Sequence, residues 1–319
     1  MASRAMPPEP AADSLRLILG DCRERMRELA DDSIHLILTD PPYFLDGLDS
    51  AWRKGKGDTP RATGTVGALP VGMRFDPKQG PALQAFMRDV AAEWMRVLAP
   101  GGFALVFSQP RLSHRMAVGI EDAGFEIRDL LAWRFTRKAQ FKAFSQDHFV
   151  RKMPLDEDGK AALIRSLEGR KTPQLRPQFE AVVLAQKPRE GTFVANWQTW
   201  RTGLIDAGCS LDGGAPSTVM TVEKPDSVEK GPAGGHLTPK PVDLLAHLIR
   251  LFSEEGQMVL DPFMGSGSTG VAALRTGRRC IGIDKEEAYL EISRRRAAEE
   301  AERAAAAPPP DSAPTDRKA

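Results

Sequence analysis

Three short apolar runs in this chain each finish on an acidic residue: Leu36-Ile37-Leu38-Thr39-Asp40, Met258-Val259-Leu260-Asp261 and Cys280-Ile281-Gly282-Ile283-Asp284. Runs of this length and composition are expected as buried strands. In a parallel sheet all carboxyl ends lie along one edge, and ligands of open α/β folds bind in the crevice there. The pattern therefore predicts three carboxylates around a single site.

The residues beside each acid narrow the chemistry. Asp40 opens Asp40-Pro41-Pro42-Tyr43, a stiff loop whose prolines fix φ and remove two donors. It offers a carboxylate, the Pro41 carbonyl and an aromatic ring. That set suits a planar exocyclic amine: two acceptors take its two N–H groups while the ring stacks on the heterocycle. Such an amine is a poor nucleophile because its lone pair is delocalised. Holding both hydrogens favours a pyramidal nitrogen and aims the lone pair at an electrophile, a contribution of orientation and preorganised electrostatics. A proline turn that only caps a strand fits the same four residues.

Asp261 leads into Pro262-Phe263-Met264-Gly265-Ser266-Gly267, a glycine loop between a strand and a helix. Glycines allow the tight turn and the close approach of a ligand, and the helix start favours an anion. Ser268-Thr269 follows Gly267 where a phosphate-binding loop would carry lysine, which disfavours a nucleoside triphosphate. Asp284, ending the next strand, is placed to accept ribose hydroxyls. Glycine also serves tight strand–helix packing; the loop and the spaced acid together point to a nucleoside cofactor.

Strands are expected at Leu15–Leu19, Ile34–Thr39, Phe103–Phe107, Phe125–Trp133, Phe179–Gln186, Met258–Leu260 and Arg279–Ile283. Helices are expected at Cys22–Leu29, Ala82–Leu98, Arg111–Ala123, Thr238–Gly256, Thr269–Thr276 and Ala288–Arg303, with Pro239 and Pro241 suited to a first turn. The alternation predicts a parallel α/β sheet. Leu45 to Gly80 shows no regular period, and loops of that length inside domains are functional or disordered.

Composition sets the outer limits. With 319 residues, 41% hydrophobic and 27% charged, the chain can bury a large core. A net charge of +1 excludes a polycation, so any nucleic-acid contact must be local. Between Arg134 and Arg176, eleven basic residues face five acidic ones, a local net charge of +6. That is the footprint phosphate contact requires, although a solvated surface accounts for the same charge. Cys22, Cys209 and Cys280 are odd in number and not spaced as metal ligands, so neither a disulfide framework nor a metal site is expected, and a reducing cytoplasm is. Met1 to Asp13 lacks the features of a signal peptide, and no apolar run approaches membrane-spanning length.

Leu38-Thr39-Asp40-Pro41-Pro42-Tyr43 resembles the catalytic motif of amino-group DNA methyltransferases. Val259 to Thr269 resembles their S-adenosylmethionine (AdoMet) motif, and His236-Leu237-Thr238-Pro239-Lys240-Pro241 the motif that precedes it, with Leu237 where proline is common. Catalytic motif first and cofactor motif last resembles the permuted β-group, over about Leu15 to Arg295 apart from a variable middle.

The resemblance implies a Rossmann-like AdoMet-dependent methyltransferase fold of class α/β, with a mostly parallel sheet and an inserted target-recognition region. The divisions implied are a disordered start (1–13), a catalytic half (14–133), the recognition region (134–235, with a core strand near 179–186), an AdoMet half (236–298) and a disordered tail (299–319). It implies methyl transfer from AdoMet to an exocyclic amine of a flipped base at specific sites in double-stranded DNA, because a paired, stacked amine cannot meet a sulfonium in line. Asp40 and Pro41, stiffened by Pro42, would hold the amine; Tyr43, with Phe44, would contact the base. Asp261, Phe263, Gly265, Ser266 and Gly267 would line AdoMet, Asp284 would bind its ribose, Thr238 and Lys240 would lie near its carboxylate, and Asp21 beside its adenine. The 45–80 loop would close over the DNA or the flipped base. A cytoplasmic enzyme without membrane association follows, with a homodimer and a cognate restriction endonuclease as further partners.

Carbon-5 cytosine chemistry is excluded, because no cysteine stands beside the catalytic loop. Aspartate heads the motif more often in adenine N6 enzymes and serine in cytosine N4 enzymes, which favours adenine and leaves cytosine N4 as the alternative. RNA and protein-glutamine methyltransferases place the glycine motif first and head the catalytic one with asparagine. A non-catalytic DNA-binding module would have a degenerate pocket, and here every expected reactive position is filled. His148 and His236 are expected to be structural, and Arg294-Arg295-Arg296 a solvated helix end.

Overall fold

In a computed structural model the described residues are 14–42, 78–137, 143–173, 175–211, 213–224 and 239–306. The segment expected at 1–13, residues 45–77 of the loop expected at 45–80, residues 307–319 of the expected tail, and Tyr43, Phe44, His236, Leu237 and Thr238 lie outside them.

The apolar runs form strands because the sheet is covered on both faces. Its eight strands lie in the order β1 (Leu15–Leu19), β8 (Arg279–Asp284), β7 (Met258–Asp261), β2 (Ile34–Thr39), β3 (Leu98–Ser108), β5 (Phe179–Gln186), β4 (Glu126–Arg134) and β6 (Val219–Thr221). Neighbours pair in parallel except at β5, which runs antiparallel to both β3 and β4. The mostly parallel sheet is thus as expected, with one reversed strand.

Alternate residues serve opposite layers. Leu36, Leu38, Phe103, Leu105 and Phe107 point into one core, closed by α7 (Val242–Phe252) and α8 (Ser268–Arg275). Ile34, Ile37, Ala104 and Val106 point into the other, closed by α1 (Cys22–Arg25, continued by the 3-10 turn Met26–Glu28), α2 (Gln79–Val97) and α3 (Ser113–Glu121). Strands buried on both faces read as continuous hydrophobic runs rather than alternating ones. A last helix, α9 (Glu287–Ala306), packs against α8 and β1.

Several boundaries differ from expectation. α7 starts at Val242 rather than 238, because Pro241 takes an extended conformation (ψ 127°) and disfavours helix at the residue before it. α9 runs to Ala306, through 299–306 where a disordered tail was expected. Buried Ala297 and Glu300 hold that end, with Arg275 donating to Glu300 at 2.8 and 3.0 Å.

Part of the expected recognition region belongs to the sheet layers. β5 is a core strand, β6 is a short edge strand of the same sheet that buries only Met220, and α6 (Phe193–Trp200), which no periodic pattern announced, is pinned to the start of β3. The pin is Asn196, fully buried: its amide donates to the carbonyls of Pro100 and Thr202, each at 3.0 Å, and accepts from Glu190 N at 2.9 Å. Residues 143–173 carry α4 (Asp147–Val150) and α5 (Glu157–Ser166); α5 buries no residue. Among the described residues no helix is long and apolar enough to cross a membrane.

Candidate active site

The adjacent strands β1, β8, β7 and β2 deliver Asp21, Asp284, Asp261 and Asp40 to the same sheet edge. The four acids have different surroundings, and these assign them different work.

Asp21 caps α1 and faces cations. It accepts from Arg23 N at 2.9 Å and pairs with the Arg23 guanidinium at 2.8 Å and with Lys285 at 2.9 Å. The Arg23 hydrogen bond holds its carboxyl well below the usual range.

Asp284 braces the glycine loop. One carboxylate oxygen accepts from Gly265 N at 2.8 Å and the other from Glu286 N at 2.9 Å. Gly265 and Gly267 adopt φ of 49° and 83°. A Cβ on Gly267 would lie 2.6 Å from Ser293 Oγ and 2.9 Å from its Cα, so only glycine fits that turn. Ser293 in turn donates to the Gly265 carbonyl at 3.0 Å. Arg296 donates to Ser266 O at 2.8 Å and to the hydroxyls of Ser266 and Ser268 at 3.2 and 3.1 Å. The expected solvated helix end is therefore corrected: Arg296 clamps the glycine loop from behind. No side chain caps the first turn of α8, whose Ser268 and Thr269 face the cleft, an arrangement suited to an anionic group.

Asp261 is buried, and burial pushes its pKa up to about 6 against hydrogen bonds that favour the carboxylate. It accepts from the Thr39 hydroxyl at 2.6 Å and from Phe263 N at 3.1 Å. Thr39 immediately precedes Asp40, so this bond ties the end of β2 to the glycine loop.

Asp40 pairs with Lys240, just before α7. The Lys240 ammonium also meets Glu180 on β5 at 3.4 Å and lies 5.1 Å from the centre of the Phe107 ring. Burial works against its charge, but Asp40 and Glu180 outweigh burial and raise its pKa. Lys240 was expected near a methionine carboxylate; here its ammonium sits between two carboxylates of the protein. Neither Glu180 nor Phe107 was anticipated.

One cleft joins these pieces. Asp40, Lys240, Asp261, Phe263, Gly265 and Ser266 all line it, so residues far apart in sequence share a cavity. Gly267 and Asp284 sit behind the lining as turn and brace, and Asp21 is not part of it. Pro41 is buried and Pro42 half-buried beside Asp40. A loop that only Gly can turn, opening onto a strand-end carboxylate, fits a nucleoside cofactor with an anionic tail.

Several known proteins are similar to this chain in sequence or fold. The type II methyltransferase M.HindIII of Haemophilus influenzae is 28% identical over 289 residues, covering 84% of this chain and 90% of that protein. Two solved structures share the fold: the M1.HpyAVI–SAM complex (TM-score 0.52, 19% identity, 88% of this chain and 98% of that one) and the cytosine-N4-specific PvuII DNA methyltransferase (TM-score 0.56, 17% identity, 91% and 92%). The DNA methylase family model N6_N4_Mtase matches residues 34–295, from the start of the strand that carries Asp40 to the helix that clamps the glycine loop, and the chain belongs to that N6/N4 family of DNA methylases.

Proposed function

We propose that this protein methylates N6 of adenine at a specific sequence in double-stranded DNA. The broader reaction, AdoMet-dependent methylation of an exocyclic amine in DNA, is that of its family. The observation that carries methyl transfer is the cleft shared by Asp40 and the Gly265 loop, and the aspartate at the head of the catalytic motif favours adenine.

AdoMet supplies an electrophilic methyl group on a sulfonium. The glycine loop, with Asp261, Phe263 and Ser266, would hold it, Asp284 would accept from its ribose in addition to bracing the loop, and Asp21 and Thr238 complete the proposed contacts. Asp40 and the Pro41 carbonyl accept the two hydrogens of the target amine, and Tyr43 and Phe44 contact the flipped base. Two acceptors on one nitrogen aim its lone pair and stabilise the positive charge that grows there. The surplus proton then leaves to water. Lys240 serves Asp40 in this reading rather than the cofactor carboxylate, because its ammonium is held there by two anions. A reducing cytoplasm, a homodimer and a cognate restriction endonuclease belong to the same proposal.

Tritium transfer from AdoMet to unmethylated duplex DNA, RNA and protein tests it. Label is expected in duplex DNA alone, released on digestion as N6-methyladenine, and lost with Asp40→Ala. N4-methylcytosine in the digest would reassign the base, and transfer surviving Asp40→Ala would reject the role of Asp40.

A further inference from the structure

Four charges of alternating sign run inward from the end of β6 to the catalytic loop. Lys224, three residues after β6, meets Glu180 at 3.4 Å; Glu180 meets Lys240 at 3.4 Å; Lys240 pairs with Asp40. The side chain of Lys240 is 9% exposed, and those of Glu180 and Asp40 about a quarter. Lys224 closes the outer end, its ammonium 3.8 Å from the centre of the Phe135 ring, while Trp133 beside it donates to Val222 O at 2.7 Å.

Glu180 reaches the site because β5 is reversed. Its residues 179 and 180 pair with Arg134 and Trp133 at the end of β4, so the amino end of β5 lies at the edge where the other strands finish. Methyl transfer by the Asp40 loop gives Glu180 no direct task. Yet among the described residues it is one of two carboxylates that the ammonium of Lys240 meets. A buried ammonium persists only where its partners repay the lost hydration, and removing one partner of such a cluster is costly.

We propose that Glu180 is a positioning residue for methyl transfer: it anchors Lys240 from the side away from Asp40, fixing the ammonium on Asp40 Oδ2 and with it the orientation of the carboxylate that receives the target amine. With Glu180 neutral, the ammonium has one anion instead of two and closes on Asp40. The carboxylate then turns with it and presents less negative charge to the amine as that nitrogen becomes positive. Lys224 balances Glu180 at the rim, so its removal leaves the inner pair intact.

This inference rests on the assignment of Asp40 to the amine, and its test separates the two. Single-turnover methyl transfer is measured with enzyme in excess over unmethylated duplex DNA, alongside calorimetric AdoMet affinity and the thermal midpoint. Glu180→Gln is expected to slow transfer about 10- to 100-fold while AdoMet affinity stays within about 3-fold. Glu180→Asp, which keeps the charge, recovers part of the lost rate, and Lys224→Met changes it less than about 3-fold. Asp40→Ala run in parallel abolishes transfer; should it not, the assignment of Asp40 fails and the inference falls with it. If Asp40→Ala is inactive but Glu180→Gln transfers at the parental rate, the inference alone is overturned. A Glu180→Gln protein that fails to fold or loses AdoMet, or an Asp variant that restores no rate, overturns it equally, since Glu180 would then be structural or part of the cofactor site.

Discussion

Two helices of nearly equal length, α7 with 11 residues and α5 with 10, are treated very differently by this fold. Nine residues of α7 are buried, and its apolar face closes the layer behind the glycine loop. No residue of α5 is buried; Leu163 and Ile164 remain half-exposed, and Phe149, Met153, Leu155 and Leu175 are exposed along the same stretch of sequence. The difference separates a region that holds itself together from one whose contacts are not completed within the described chain. The first supports the glycine-loop side of the cleft. The second carries much of the +6 segment, the kind of local charge that phosphate contact requires.

One truncation in each helix separates the two regions most strongly. Leu248→Ala in α7 removes a fully buried side chain and should cost about 2–5 kcal/mol. Leu163→Ala in α5 should cost less than about 1 kcal/mol, because less apolar area leaves the core. Urea unfolding of the two variants measures both. Equal losses would mean that α5 is packed as tightly as α7.

The glycine loop gives the next largest effect. Gly267→Ala forces a side chain onto a backbone with φ of 83° and into Ser293. Strain and overpacking together should cost about 3 kcal/mol, and calorimetry should show AdoMet affinity falling steeply. Ser293→Gly in the same background, by removing the obstructing hydroxymethyl, should return part of the stability.

How far the sequence discloses this site follows from strand direction and from what each residue packs against. β2, β7 and β8 were legible because they are buried on both faces, and their terminal acids follow from parallel direction. Glu180 was not, because a rule that inspects carboxyl ends passes over an antiparallel strand whose amino end reaches the site. A lone acid beside Phe179, at the head of the apolar run Ala181 to Ala185, was the available signal. Arg296 was hidden for a related reason: one arginine in a run of three turns inward, and only the placement of α9 against α8 selects it. α6 went unseen because its anchor is a buried asparagine, while the apolar residues Phe193 and Val194 face solvent.

Asp261 makes the stability of the buried region depend on pH. Its pKa is raised from 3.8 to about 6 by burial, so folding favours the protonated acid. That contribution is complete below about pH 3.8 and is lost as pH rises through about 6, at up to about 1.4 kcal/mol per pH unit. Asp261→Asn keeps an acceptor for the Thr39 hydroxyl and cannot ionise. Relative to the parent, this variant should therefore gain stability between pH 4 and pH 7, by at most roughly 3 kcal/mol. Urea midpoints at both pH values measure the difference; a difference that does not change with pH would mean that Asp261 titrates as it does in the unfolded chain. No comparable dependence is expected from α5.

The smallest expected effect bears on the second region alone. Arg151 and Lys152 are exposed between α4 and α5. If they touch phosphates, Arg151→Gln with Lys152→Gln should weaken DNA binding about 10-fold at low salt and make log Kd about two units less steep in log salt, since each phosphate contact contributes about 0.9 to that slope. AdoMet affinity and the urea midpoint should not move, because neither side chain is part of a core. A loss of affinity with an unchanged salt slope would place these residues away from the phosphates and leave the charge of the segment as a property of its hydration. A reduced slope with the cofactor half untouched would give the two regions separable tasks: one holds the methyl donor through packing, and the other finds the DNA through charge.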